Sequence, residues 1–273
     1  MNLRSYIFFV LIVLGINVGL VHAQSEADSI PASDIVESSV SVSESEAEAA
    51  YRQNSFAESI KLYESEIGKN KQIKKESPEL YYNLGNAYFR DNQIAKAILN
   101  YERALLLDPG DSDIRHNLRF AKTRIEDKID SADSFFVNQW IRSIQNLYTA
   151  NRWAMIGIVL FLILIIAVGS YVISTQITVR KISFYSGIVL LALVIIANAF
   201  AFKQKNKIVN RSTGIVMSAS VSIHTSPDAH SQELFRLHEG SKVRIKREEG
   251  NWFEIVIANG SVGWLQKKNI EKI

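Results

Sequence analysis

The chain contains no cysteine. Disulfides, thiol nucleophiles, lipidated cysteine and cysteine-ligated zinc are thereby excluded, and cysteine usage leaves the redox compartment open. Histidine is scarce too, with five in 273 residues, four of them beyond residue 23. His224, His230 and His238 are six and eight residues apart with no carboxylate pair beside them, a poor basis for a metal site. No nucleophile, base and orienting acid fall together, so the expectation is a chain that is not an enzyme and takes no cofactor. A basic stripe with interleaved aromatics is also missing. Net charge is only +3 and the pI about 8.9, which gives no reason to expect nucleic acid as a partner.

Charge is absent from two long stretches, Trp153 to Ser174 and Ile182 to Phe202, neither of which has an Asp, Glu, Lys or Arg. Each meets the roughly 20 residues needed to cross a hydrocarbon core of ~30 Å. The first holds thirteen Ile, Leu, Val or Phe residues, which favours insertion by roughly 4 to 8 kcal/mol. Both read as transmembrane helices, 153–174 and 182–202, joined by a turn at 175–181 that carries Arg180 and Lys181. Mean hydropathy, +0.03, averages these spans with a charged remainder and describes neither. The spans hold no ionisable group, so an ion or proton pathway is not expected. Asn198, their most polar side chain at depth, is placed to hydrogen bond across the hairpin or to another subunit for ~1 kcal/mol.

Arg4, an apolar core from Tyr6 to Val21 and the small-residue site ending at Ala23 make a secretory signal peptide over 1–23, or an uncleaved signal anchor. Either puts the next residues outside the cytoplasm, the hairpin turn inside it, and the C-terminal piece back on the exported side. Arg180 and Lys181 agree with the positive-inside tendency; Lys203, Lys205, Lys207 and Arg211 oppose it. Residues 24–48 carry seven acids, no base and no aromatic residue, the composition of a disordered spacer.

From Pro78 onwards Tyr81, Leu84, Gly85, Tyr88, Ala97, Tyr101, Ala104 and Pro109 fall at the spacing of a tetratricopeptide repeat, a helix-turn-helix of about 34 residues. Gly85 and Ala97 allow close helix approach, and Pro109 stops the second helix. Phe56, Ser59, Ile60 and Tyr63 match Ile94, Ala97, Ile98 and Tyr101 at an offset of 38, which makes 47–67 a degenerate first repeat. Ile114, Leu118, Ala121, Ile125 and Ile129 give a capping helix over 113–129, and the helical domain spans 49–130. Tyr82, Asn86, Phe89 and Arg90 project onto the concave groove where such repeats take an extended or helical peptide. The alternative is a stack that packs on a neighbouring subunit with no peptide pocket. Asn83 and Asn117 are repeat-equivalent, but the cations of a peptide-carboxylate clamp are not in register.

Phe136, Trp140, Ile144, Leu147 and Tyr148 recur every three or four residues, an amphipathic helix over 133–150 suited to the headgroup layer or else docked on the solenoid. From Thr213 short alternating runs are broken by Ser226-Pro227-Asp228, Glu239-Gly240, Glu249-Gly250-Asn251 and Asn259-Gly260, predicting five or six strands in a small barrel over 213–273. The segments VSIHTSP, LHEGSKVRI, GNWFEI and NGSVGWL resemble the bacterial SH3-like family, though His224 and Thr225 stand where that family usually has arginine and serine. Trp252, Trp264 and His224 are its candidate ligand surface, with at least one tryptophan expected in the core.

The fold class expected is therefore a multidomain membrane protein: an α-helical tetratricopeptide solenoid, two transmembrane helices and a C-terminal SH3-like small β-barrel. With the lead-in segments QWIRS (139–143) and NRWA (151–154), this order resembles the BatE family of the Bacteroidetes aerotolerance operon. The resemblance implies the inner membrane of a Gram-negative bacterium, both soluble pieces in the periplasm, and a role in stress or oxygen tolerance. It also implies partners: membrane-anchored von Willebrand factor A domain proteins and a MoxR-type AAA ATPase. Two functions stay open, a non-enzymatic protein-interaction scaffold and a module that binds or senses peptidoglycan.

Overall fold

A computed structural model describes residues 45–73, 75–128 and 136–273, all within the unit Ser43–Ile273. The expected signal peptide, most of the acidic spacer and Ile129 lie outside the described residues. A helix, α1, occupies 45–52, so helical structure begins before residue 49. It is followed by α2 (Phe56–Gln72), α3 (Pro78–Arg90), α4 (Ile94–Leu107) and α5 (Ser112–Lys122). Local chemistry sets several of these ends. Ser77 Oγ accepts from the Leu80 amide with Pro78 at the helix start, and Asp111 accepts from the Asp113 and Ile114 amides. Asn54 and Asn92, 38 positions apart, both take the left-handed conformation (φ 62° and 61°) in the turns before α2 and α4. The offset read from side chains thus recurs in the backbone.

The helical core is built from Tyr63, Leu84, Tyr88, Ile98, Tyr101 and Leu118, with small residues where helices close in. A Cβ at Gly85 would sit 2.7 Å from the Tyr101 ring carbons, so any larger residue forces α3 and α4 apart.

Helix α6 (Phe136–Gln145) precedes α7 (Ala150–Ile173) and α8 (Ile177–Val209). Trp153 packs on Phe200 at 5.0 Å, and Tyr171 on Phe184 at 6.0 Å, so α7 and α8 run antiparallel. Both are long and apolar enough to cross a bilayer, and most of their large side chains are exposed. The link is shorter than expected, residues 174–176, and Arg180 and Lys181 already lie in the first turns of α8. At its other end α8 runs on past Phe202 to Val209, because Lys, Gln and Asn there include no glycine or proline to stop it. Asn198 does not bridge the hairpin as expected: its amide donates to Val194 O on its own helix (2.8 Å) and rests against Gly157, which has no side chain to receive it.

Seven strands follow: β1 (Thr213–Val216), β2 (Ser220–His224), β3 (Glu233–His238), β4 (Lys242–Glu249), β5 (Trp252–Val256), β6 (Val262–Gln266) and β7 (Ile270–Lys272). They form one antiparallel sheet in the order β3-β2-β6-β5-β4-β1-β7. The closed barrel expected from the sequence is not formed, since the edge strands β3 and β7 do not pair with each other. One edge is instead spent on the helices: Ile215 and Ile273 are buried in the helical core, and Met217 packs against it. The sheet keeps a core of its own around Val221, Ile223, Phe253, Ile255 and Leu265.

Replacing Gly85 by alanine is expected to cost about 1 to 3 kcal/mol through overpacking against Tyr101, read as a lower Tm of the detergent-solubilised chain. An unchanged Tm would show that the α3 and α4 seam is looser than described.

Candidate functional site

Side chains of α1, α3 and α5, with Phe56 at the start of α2, meet along one side of the helical stack. On it, Tyr82 Oη accepts from Asn117 Nδ2 (3.0 Å), which also donates to Asn86 Oδ1 (2.9 Å). Tyr101 Oη donates to the same oxygen at 2.8 Å. Asn86 is thus oriented by two donors, and among the described residues its Nδ2 has no partner. Phe89 packs on Phe120 (centroids 5.5 Å), and the Arg124 guanidinium lies 5.6 Å from the Phe120 ring. Arg90 lies 5.0 Å over Phe56, which meets Tyr51 edge-on.

All four groove residues expected from the sequence are therefore on one surface, joined by Asn117, Phe120 and Arg124. Phe120, 49 % exposed, was missed. The available signal was its position, 34 residues after Asn86. The surface combines the exposed Phe120 ring and the half-buried rings of Tyr82, Phe89 and Phe56 with two arginines that have no carboxylate partner among the described residues. Such a combination suits a peptide with apolar anchors beside acidic groups.

The sheet carries the second expected cluster. His224 pairs in register with Trp264, and its ring meets Trp252 edge-on at 5.5 Å. Strand alternation puts Trp252, Glu254 and Trp264 on the face opposite Phe253, Ile255 and Leu265, which point into the sheet core. Trp264 is buried (7 % exposed) under the Arg247 guanidinium at 5.1 Å, while Trp252 stays half-buried. One tryptophan is enclosed as expected, but outside the sheet's core.

Sequence reasoning treated the solenoid and the sheet as separate modules; the structure joins them by charge as well as by apolar packing. Glu102 of α4, 4 % exposed, accepts from Lys122 of α5 at 2.7 Å and from Lys242 of β4 at 2.6 Å. Burial alone would raise its pKa, but the two ammonium groups bring it down to about 2. Asp127 accepts from the His238 amide (2.7 Å) and from Ser241 Oγ, and its other oxygen takes the His238 Nδ1 proton at 2.8 Å. These hydrogen bonds outweigh the burial that opposes them and lower the Asp127 pKa. The bond to Asp127 raises His238 in turn, helped by Glu126 and opposed by partial burial and Arg236. Arg103 donates to Glu271 and to the Lys272 carbonyl, each at 2.8 Å, and Arg211 pairs with Glu76. Gly240 seats the β3 to β4 turn: a Cβ there would meet Ile125 at 2.5 Å and Ile98 at 3.2 Å.

A family model for the tetratricopeptide repeat matches residues 78–111, covering α3 and α4. No curated protein matches the chain. The matched repeat is a protein-interaction unit, and the sheet occupies the side of α4 that the groove does not use.

Lys122→Ala and Lys242→Ala are each expected to cost about 1 kcal/mol, since one ammonium remains on Glu102; together they should cost about 3 kcal/mol or more, because the buried carboxylate then has no counter-charge. Simple additivity in the Tm of the single and double variants would refute the shared-carboxylate geometry.

The His238 contribution is complete below its ordinary pKa of 6.5 and is lost as pH rises through the raised folded value. Asp127 acts the opposite way, contributing above its ordinary 3.8 and losing its effect as pH falls through the lowered value. The Tm difference between wild type and His238→Gln should therefore be largest near pH 6 and shrink towards pH 8.5. A difference independent of pH over that range would exclude a protonated His238.

Proposed function

We propose that the chain is a non-enzymatic, membrane-anchored scaffold that gathers envelope proteins through the solenoid groove. The observation carrying this reading is the repeat whose α3 side chains Tyr82, Asn86, Phe89 and Arg90, joined by Phe120 of α5, form one surface while the sheet packs on the helical core from another side. The apolar, largely exposed surfaces of α7 and α8 support insertion: outside a bilayer they would leave a hydrophobic area far beyond what soluble proteins tolerate. Helix α6, with Trp140 66 % exposed, supports a segment lying at the lipid surface.

In this reading the hairpin crosses the inner membrane of a Gram-negative cell, with the solenoid and the SH3-like sheet in the periplasm. The partners are membrane-anchored von Willebrand factor A domain proteins, acting with a MoxR-type ATPase in stress or oxygen tolerance, as the resemblance to the aerotolerance-operon family implies. The half-buried Trp252 beside His224 favours one second reading, in which the sheet binds peptidoglycan.

Photocrosslinking in membranes from position 89 is expected to trap von Willebrand factor A domain proteins, and Arg90→Glu with Arg124→Glu should abolish the adduct. No specific adduct would overturn the groove-based function, and retention of the isolated soluble pieces on purified sacculi would favour the wall reading. Topology is testable because the chain has no cysteine. Asn259→Cys should react with an impermeant maleimide in cells with a permeabilised outer membrane, whereas Thr178→Cys should react only after lysis. The reverse pattern would put both soluble pieces in the cytoplasm.

A further inference from the structure

Between Asp133 and Asp228 the chain has eight Lys and Arg residues and no Asp or Glu. Arg180 and Lys181 are the two of these at the turn end of the hairpin. The solenoid and the sheet adjoin its other end, about 36 Å away along the 24 residues of α7. Among the described residues neither cation has an ion-pair partner, although most exposed cations of the sheet do.

The two cations border a cavity of about 310 Å³ with Tyr171, Ile177, Phe184 and Tyr185. Arg180 lies 5.2 Å over the Tyr171 ring, and Phe184 meets Tyr171 at a tilt (6.0 Å) and Tyr185 edge-on (5.5 Å). Gln176, at the N-terminal boundary of α8, gives no side-chain cap, so the first amides of α8 add positive potential at the same place. The lining thus has two cations, three aromatic rings and one isoleucine, with no anion of its own.

We propose that this cavity binds an anionic phospholipid of the leaflet facing the turn, its phosphate between Arg180 and Lys181 and its glycerol and upper acyl carbons on Ile177, Phe184 and Tyr185. The inference rests on the membrane reading of α7 and α8. A free phosphate would satisfy the two cations but leave the aromatic half of the lining unused, which favours the lipid. A guanidinium can hold two phosphate oxygens at once while the adjacent ammonium acts as a point charge, so a monoanionic headgroup such as phosphatidylglycerol is sufficient.

The test is native mass spectrometry of the full chain in detergent with added phosphatidylglycerol, phosphatidylcholine or inorganic phosphate. One phosphatidylglycerol should be retained in preference to phosphatidylcholine. Arg180→Gln with Lys181→Gln should weaken that adduct roughly tenfold, whereas Lys203→Gln with Lys205→Gln, at the opposite end, should leave it in place. Equal retention of the two lipids, or an adduct unchanged by the Arg180 and Lys181 variant, would overturn the site. Binding of inorganic phosphate that displaces the lipid would overturn the choice of occupant. Alkaline carbonate washing of the source membranes separates the two levels: release of the wild-type chain would overturn the membrane reading and the site with it, and retention without lipid selectivity would overturn the site alone.

Discussion

Three residues join α7 to α8, and the helices lie antiparallel. The described residues before Ala150 and those after Val209 are therefore delivered to one end of the hairpin, whichever side of a membrane that end faces. Only residues 210–212 separate α8 from β1. The sheet cannot drift from the solenoid, and the few residues available are themselves tied, with Arg211 on Glu76 and the Ser212 carbonyl taken by the Ile245 amide. This tether brings Ile215 and Ile273 within reach of the helical core. A helical stack with one matched repeat is short for a solenoid, which normally needs three or more units and a cap to bury a continuous core. Here the edge of the sheet takes the place of the missing unit.

Apolar contacts alone would not fix how the sheet docks, because the hydrophobic effect has no direction. Orientation comes from the polar groups around Ile98, Ile125 and Gly240: Glu102 between two lysines on one side, and Asp127 clamped by His238 and Ser241 on the other. Glu102 is costly to bury and is tolerated only because both of its oxygens are met by ammonium groups, one from each piece of the chain. The docked arrangement is therefore the one in which that charge is paired.

The matched repeat was legible because its spacing is rigid: Gly85 must be small where the Tyr101 ring crosses it, and Ala97 is fully buried on the helix that carries Tyr101. The two apolar helices were legible for a cruder reason, the complete lack of charge. Their ends were not, since nothing in Lys203 to Val209 breaks a helix even though the apolar run has stopped. Strand β7 was missed because three residues are too few to show alternation, and with it went the edge that meets the solenoid. The shared surface of Tyr82, Asn86 and Phe89 on α3 follows from repeat position, but Phe120, which packs on Phe89, lay in a segment read only as a cap. The contacts of Glu102 with Lys242 and of Asp127 with His238 span 140 and 111 residues, distances over which no local periodicity carries information.

The same contacts bear on how the groove can bind. At the base of the hairpin the Gln145 carbonyl accepts from both Trp153 Nε1 and Gln204 Nε2, and Gly110 lies so close to the Leu147 carbonyl that a Cβ would approach it to 2.5 Å. The helical stack is thus held from behind by the sheet and from below by the lead-in to α7. A face whose side chains are also fixed to one another, as Asn86 is by Tyr101 and Asn117, loses little conformational freedom when a ligand arrives. A helical stack this short standing alone would have to be ordered by any ligand and would bind more weakly for the same contacts. The small size of the helical stack and the elaborate fixing of its rear therefore go together: a short stack is held rigid by the sheet and by the lead-in to α7, whatever its open face meets.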